Sequence, residues 1–599
     1  MILEKLVQHY DSLTEDEDAN IAPLGYSSAK VSFAINISSQ GTLLGLIDLR
    51  QEAGKKMIPR KMIVPLQEKR TAGEKPYFLC DKSKYIFGFD GETCAEHFSK
   101  FKDLQTEILA GIDDEEAAAV INFINSWDPV KIHEFDCIEE RLDDVISASS
   151  FVFRLEGKKS FVHENATIKK VWEDVWSKLS ENIWELISSK SNDVYVAQCL
   201  VTGENTAIAK IHQSIMNVHG AQQSGAAIVS FNINSFISYN KEQSYNAPIS
   251  KMAMLKYTTA LNHLLASQDN KIRLGDCTTV FWAEGISHRE EAFLKMFLEP
   301  QLKTKSGRDS SDKESEKLES ETEVEENVAT ILEGIRKGKN VKDILPHPDL
   351  NFYILGLAPN SSRLSIRFWM VDSFGSLVER IALHYSDMNV VRPPNAFIDV
   401  PTWVLLREIA VLGKAENIPN TIITSLSYSI FSGANYPESI FPAVIGRIRA
   451  DKTINYQRAG LIKAFLIRNR SLNKKEEVIT MALNSENKTP AYLLGRLFSL
   501  LEKVQNDAAG GNLNATIKDR FFGSASATPA IVFPQLLRLS QHHVSKAEYG
   551  NNMDKKIREV INDLDGFPKQ LSLEDQGIFI LGYYHQKQAN YESKSETKE

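Results

Sequence analysis

Five amphipathic segments in close succession after residue 395 constrain this chain more than any other feature. They read PTWVLLREIAVLG, YPESIFPAVIGRIRAD, YQRAGLIKAFLIRN, TPAYLLGRLFSLLEKVQND and PAIVFPQLLRLSQHHVSK. They start at Pro or Ser/Thr-type caps, stop at Gly, Asn or Asp, and space their apolar residues at helical intervals. Short connections between such segments predict an antiparallel helical bundle over 395–599. No repeat of fixed period stands out.

The first half has a different texture. KVSFAINIS, then SQG, then TLLGLIDLR is a hairpin pattern, two β-rich runs around a glycine turn. MIVPL, YIFGFD, VAQCLVTGE, AAIVSFNI and TTVFWAE read as strands, and FVFRLEGKKSFVHE as a second hairpin. Residues 93–126 and 164–188, and APISKMAMLKYTTALNHLLASQ, read as helices. The clearest hairpin, NFYILGLAPNSSRLSIRFWMVD, follows a run without a foldable apolar pattern. The expected class is therefore α+β: a mixed N-terminal domain with antiparallel hairpins, then a helical bundle. The expected boundaries are 1–302, an acidic linker or insertion at 303–327, a completing segment at 328–394, and 395–599.

Charge points toward a polyanion. The chain carries −9 overall, but residues 309–326 hold nine acids and two lysines, leaving only −2 for the rest. Arg50–Lys75 has eight bases against three acids, and Arg447–Lys475 nine against one. Clustered positive charge in a near-neutral chain suits a nucleic-acid partner on chosen faces. Conversely, Ile211–Asn240 contains no charged residue at all, although 25% of the chain is charged. Gln, Asn, Ser, His and Gly break every apolar run there, so it is no membrane span. The N-terminus carries acids where a secretion signal would carry bases, so a cytoplasmic location is expected. Five scattered cysteines without a C-x-x-C pair are expected to be free thiols.

Motifs for chemistry are missing. There is no G-x-x-x-x-G-K-[ST], no G-x-G-x-x-G after a strand, no H-E-x-x-H and no G-x-S-x-G. His542 and His543 are adjacent, which on a helix points them about 100° apart. No catalytic residue, metal or cofactor is expected.

Binding candidates are easier to name. Lys55, Lys56, Arg60 and Lys61 precede a strand; Lys69, Arg70 and Lys75 surround a Thr71-Ala72-Gly73 loop beside Tyr77 and Phe78. Glycine lets a backbone come close, so this loop suits phosphate; the competing reading is a solvated edge strand guarded by lysines. Arg447, Arg449, Arg458, Lys463, Arg468 and Arg470 have few acids near them in sequence and suit a strand-backbone surface, against a plain solvated face. The amides of HGAQQSGA, FNINSFISYN and KEQSYNAP suit base edges in a DNA groove, against the ordinary role of capping turns.

A resemblance joins these pieces. GYSSAKVSFAINIS, LIDLR, KRTAGEKPYFLCDKSKYIFG, CLVTGENTAIAKIH, VHGAQQSGAAIVSFN, SYNKEQSYNAPIS, GDCTTVFWAE, FYILGLAPNSSRLSIRFW and AYLLGRLFSLLEKVQ occur in this order. Together they resemble the large-subunit family of type I-C (Dvulg subtype) CRISPR Cascade complexes, over nearly the whole chain. The resemblance implies a non-catalytic subunit of an antiviral, RNA-guided surveillance complex. Such a subunit recognises the protospacer-adjacent motif in double-stranded DNA, contacts the guide RNA 5′ handle end and supports the R-loop. Its partners would be the backbone, handle-capping and small subunits and a recruited helicase-nuclease, with no membrane. Pairing reads the sequence while the protein reads the short motif. The resemblance singles out Gln222, Gln223, Asn232, Asn234, Gln243 and Asn246 for motif or handle contact, beside Lys69, Arg70, Thr71, Gly73 and Lys75. A structural scaffold without motif reading, and a nuclease acting alone, are the rival readings.

One inference concerns translation. Lys475-Glu476-Glu477 is encoded by codons that can spell a ribosome-binding sequence a few codons before Met481. A start at Met481 would release 119 residues of bundle, 481–599, as a separate small subunit.

Overall fold

The computed structural model describes residues 1–16, 19, 21–54, 56–67, 70, 75–178, 195–285, 288–298, 330–335, 337–393, 396, 400–414, 417–470, 479–511 and 513–595. The chain divides into two compact units, Met1–Ala266 with Asn360–Leu364, and Ser267–Pro359 with Ser365–Glu599.

In the first unit, helix α1 (Ile2–Glu15) buries Leu6, His9, Tyr10 and Leu13 along one face. Strands β1 (Tyr26–Val31) and β2 (Phe33–Ile37) form one extended run broken at Ser32. Ser32 fixes the break: its N–H donates to Ser150 O (2.9 Å) and its Oγ accepts from the Ser149 N–H (3.0 Å). β2 pairs with β3 (Leu43–Asp48) in the hairpin that the alternation predicts. Gly41 in its turn has φ +82°, and a Cβ there would lie 2.4 Å from the Phe123 backbone nitrogen, so only glycine fits. β4 (Gln51–Ala53) and β5 (Lys56–Ile58) pair with each other, and β6 (Arg60–Pro65) pairs antiparallel with β1. β7 (Cys80–Asp81) and β8 (Phe151–Leu155) complete a four-stranded sheet ordered β3-β2-β8-β7, in which β2 and β8 run parallel. Helices α2 (Ala95–Leu109) and α3 (Glu115–Ser126) bring Phe101 and Phe123 to Phe153 of β8, at 6.5 and 5.7 Å between ring centres. Helix α4 (Ala166–Lys178) donates from the Trp172 indole to Gly25 O (2.6 Å). β9 (Val196–Gln198) and β10 (Asn205–Ala207) form a small ribbon, and α5 (Lys251–Ala266) closes the unit against α1, where Lys256 pairs with Asp11 at 2.7 Å.

Three expected strands are not strands. YIFGFD forms a short helix, Ser83–Ile86, followed by an isolated bridge between Phe89 and Thr93. Tyr85, Ile86 and Phe87 are all buried, and a short wholly buried run has no periodicity to distinguish strand from helix. The second arm of FVFRLEGKKSFVHE is a 3₁₀ turn, Val162–Glu164, because the Glu164 carboxylate accepts from the Phe161 N–H (2.9 Å) and closes the chain on itself. Among the described residues AAIVSFNI pairs only through isolated bridges, Ala226 to Ile215 and Ala227 to Arg363.

The second unit holds a sheet ordered β11-β12-β13-β14: Lys271–Leu274, Cys277–Ala283, Asn351–Asn360 and Arg363–Ser373. β12 is buried along its whole length and pairs antiparallel with β13, Thr278 opposite Leu357 to Ala283 opposite Phe352. The sheet therefore resumes after the acidic tract, as expected; the tract itself lies outside the described residues. This sheet shares its unit and its core with the C-terminal helices, whereas its sequence pattern had placed it with the N-terminal domain. Helices α6 (His288–Leu298) and α7 (Phe374–Met388) contribute Phe293, Phe297, Leu377 and Ile381 to that core.

All five amphipathic segments are helical: α8 (Thr402–Ile409), α10 (Ile440–Asp451), α11 (Tyr456–Arg470), α12 (Pro490–Ala508) and α14 (Pro529–Val544). With α9 (Asn420–Ser432), α13 (Ile517–Ala527), α15 (Gly550–Asn562) and α16 (Leu573–Ser595) they make the fold α+β with a helical C-terminal region. α12 and α16 touch backbone to backbone: a Cβ at Gly495 would lie 2.0 Å from Phe579 O, and one at Gly582 2.2 Å from Tyr492 O. Phe498, Phe522, Phe579 and Tyr583 interlock around that contact with edge-to-face rings.

Candidate nucleic-acid interface

The loop between β6 and β7 is closed by one residue of the predicted phosphate grip. Lys69, Thr71 and Gly73 lie outside the described residues. Arg70 ion-pairs with the fully buried Asp81 carboxylate, donates from Nε to Lys75 O (2.7 Å), and lies 3.8 Å from the ring centres of both Tyr77 and Tyr85. Asp81 also accepts from the N–H groups of Tyr77 and Lys82, each at 2.8 Å. Burial pushes its carboxyl up to about 6, against the pull of Arg70. Arg70 is thus the internal clasp of this loop, while Lys75 stands exposed.

Gln67 ties this loop to the uncharged stretch. Its side chain donates to Cys80 O (2.9 Å), and its carbonyl accepts from Gln213 Nε2 (3.4 Å). The stretch is anchored on α5: His212 Nδ1 and Tyr257 Oη lie 2.6 Å apart, and the Met216 N–H donates to Asn262 Oδ1 (2.7 Å). Burial holds the His212 imidazole down to about 4. An antiparallel bridge between Ile215 and Ala226 then pinches off a loop whose tip is Gln222-Gln223-Ser224, all exposed.

Beyond it the chain is held by the tip of the β13–β14 hairpin. The Ala227 N–H donates to Ser362 O (3.1 Å) and its carbonyl accepts from Leu364 (2.9 Å). Arg363 donates to Ser230 O (3.3 Å) and to Asn232 Oδ1, with its guanidinium 4.8 Å from the Phe236 ring centre. Residues 232–240 are then exposed without interruption. They end in a tight turn, with the Lys241 N–H donating to Ser238 O (2.9 Å) and Tyr239 and Asn240 at φ +52° and +60°. Both central residues have positive φ, a type I′ geometry that a bulky aromatic rarely occupies. Tyr239 at its tip is 95% exposed.

The six amides therefore divide. Asn232 is held by Arg363, and Asn246 donates to Lys241 O (2.7 Å) and Gln243 O (3.0 Å), the turn-capping role. Gln222, Gln223 and Asn234 are exposed, with no side-chain hydrogen bond among the described residues, and Gln243 is half-buried in the same state. Sequence reasoning missed Tyr239 and Arg363. The S-Y-N-K tetrapeptide offers Asn as the only turn signal for the first, and a hairpin partner more than a hundred residues away hid the second.

The bundle cations are not brought together as an open surface. Arg447 pairs with Asp451 and Arg449 bonds to Gln576. Arg458 is buried against Glu408 (2.8 Å) and Asp451 (2.7 Å). Arg468 pairs with Asp387 (2.7 Å), and Arg470 with Glu438 (2.8 Å) and Glu574 (2.5 Å). Lys463 is buried and donates to the carbonyls of Ser386 (3.3 Å) and Asp387 (2.9 Å), and burial brings its ammonium down to about 8. The scarcity of acids between 447 and 475 is thus a local feature of the sequence. Folding supplies the acids from elsewhere. Met481 is half-exposed, and its carbonyl accepts from the Val391 N–H (2.8 Å); Lys475, Glu476 and Glu477 lie outside the described residues.

Among the described residues no helix is long and apolar enough to cross a membrane. No curated protein matches the chain. The family model for CRISPR-associated protein (Cas_Csd1) matches residues 6–591, both units included. The chain belongs to this CRISPR-associated family, the large subunit of type I-C Cascade.

Proposed function

We propose that this subunit reads the protospacer-adjacent motif in duplex DNA through the loop tips of Gln222–Gln223 and Asn234–Tyr239. The observation that carries the reading is the set of free, exposed amides on a backbone anchored at its base to α5 and to the hairpin tip. An amide both donates and accepts, so it can discriminate base edges without carrying charge. Tyr239, on the same exposed run as Asn234, supplies a flat ring for stacking on a base. Lys75 grips phosphate, and Arg70 acts indirectly by holding the loop closed. The protein performs no chemistry itself. It sits at the guide RNA 5′ handle end beside the backbone and handle-capping subunits, supports the R-loop, and hands the target to a helicase-nuclease.

The test compares binding of the reconstituted complex to targets with matched and scrambled motifs. Gln222→Ala/Gln223→Ala and Asn234→Ala are expected to lower discrimination by about 1–3 kcal/mol for each base no longer read. Asn246→Ala acts as a folding control. An equal fall in affinity on both targets would assign these residues to phosphate gripping, and no change would favour the scaffold reading.

We further propose that Met481 starts a separate small subunit. Four helices downstream of it pack ring against ring: Phe498 of α12 meets Phe522 of α13 and Phe533 of α14, and Phe522 meets Phe579 of α16. Met481→Leu is expected to abolish a short C-terminal product seen by mass spectrometry of the purified complex. A short product that persists would refute the internal start.

A further inference from the structure

β1 and β6 are paired so that Lys30 lies directly opposite Lys61. Directly opposed residues of an antiparallel pair share a face, and like charges there repel. The inner face of this pair buries Ala29, Val31, Met62 and Val64, so the two ammonium groups stand on the outer face, both exposed. Neither Lys30 nor Lys61 has an ion pair or side-chain hydrogen bond among the described residues, and the same holds for Lys56 and Arg60. Arg50, a few residues upstream, shows the contrast: it is neutralised by Asp48 (2.8 Å) and Asp144 (2.9 Å).

The neighbouring ribbon has the same unfinished character. Among the described residues β4 and β5 pair only with each other, and Gln51, Glu52, Gly54, Lys56, Met57 and Ile58 are all exposed. Met57 and Ile58 leave 45% and 49% of their surface in solvent. A two-stranded ribbon that no further strand extends among the described residues is marginal alone. Residues 51–65 carry four cations against the single acid Glu52.

We propose that this ribbon and the outer face of β1–β6 are a second DNA contact, which grips the phosphates of duplex DNA without reading sequence. The inference rests on the reading that this subunit binds duplex DNA, and it assigns residues apart from the amide loop. A polyanion relieves the Lys30–Lys61 repulsion. A two-stranded ribbon also matches the width of the B-DNA major groove, whereas the major groove of A-form RNA is too narrow to admit it.

The experiment uses the full chain in its guide-RNA complex, titrated with labelled duplex DNA over a range of salt. Lys30→Gln/Lys61→Gln and Lys56→Gln are expected to weaken binding by one factor on matched and scrambled motifs alike. The slope of log affinity against log salt should become shallower by about 0.9 for each phosphate no longer neutralised. Lys30→Arg/Lys61→Arg should restore both, and the thermal midpoint of the glutamine variants should be equal or higher. Unchanged affinity and slope would overturn the proposal; self-association in the same variants would make these cations guards of an exposed strand edge. Failure of guide-RNA assembly with the DNA slope intact would also overturn it, in favour of an RNA contact. The amide reading fails separately, because ribbon variants leave motif discrimination intact and amide variants remove it.

Discussion

Asp387→Ala is expected to destabilise the second unit by about 3–5 kcal/mol, the cost of leaving a buried charge without its partner. Asp387 receives Arg468 through Nη2 (2.7 Å) and Nε (3.1 Å), and both side chains are nearly inaccessible to solvent. Burial pushes the Asp387 carboxyl upward and Arg468 holds it down. The Arg468 guanidinium also donates to Ser429 O (3.3 Å) and lies 4.3 Å from the Tyr436 ring centre, so it cannot swing out to water without breaking α7, α9 and α11 apart. Lys463 adds a second buried cation on the carbonyls of Ser386 and Asp387. Chemical denaturation measures the destabilisation. Asp387→Leu/Arg468→Met should recover most of it, since replacing both charges removes the desolvation penalty. A double variant as unstable as Asp387→Ala would mean that packing, and not charge, explains the effect.

Acidification is expected to unfold both units through buried imidazoles. Burial lowers His163, His212 and His585 to about 4 and His384 to about 3. An unfolded histidine titrates near 6.5, so each contributes its full stability above that pH and loses it as pH falls toward the folded value. The slope is about 1.4 kcal/mol per pH unit for each histidine. Asp81, Glu116 and Asp387 work the other way: their raised carboxyls favour the folded state in acid and moderate the fall. His384 is the sharpest case. Its Nδ1 lies 2.7 Å from the Tyr436 hydroxyl, and after burial Arg468 is the next influence against protonation. His384→Gln should flatten the stability–pH curve between 6.5 and 4 by that one-histidine slope. Parallel curves would show that His384 is charged inside the fold.

The helical half was legible because its signals are local. Thr489-Pro490 at the start of α12 and Thr528-Pro529 at the start of α14 mark their helices within two residues, and 3.6-residue spacing does the rest. Burial from several sides hid other parts of the fold, as with Tyr85–Phe87, where no polar face breaks the run. The candidate site was legible as composition but not as assignment. Nothing local separates Gln222, which is free, from Asn246, which caps a turn. Nor does any window around Arg458 or Arg468 contain Glu408 or Asp387, 50 and 81 residues away. Ion pairs at that separation are made by the fold, so a charge count along the sequence sees Arg458 and Arg468 as open cations where the fold has already paired them.

The hairpin tip at Asn360–Leu364 belongs to the first unit although the strands that carry it belong to the second. Its consequence lies in the order of synthesis. Ala227 and Asn232 leave the ribosome long before Ser362, Arg363 and Leu364, the residues that hold them. At ordinary elongation rates the interval after Ala266 is about 5–20 s. During it the nascent first unit carries its amide loop without a clasp. A chain stopped at residue 266 would stay in that state permanently, so a gene fragment that is to keep Ala227 and Asn232 clasped must extend through Leu364.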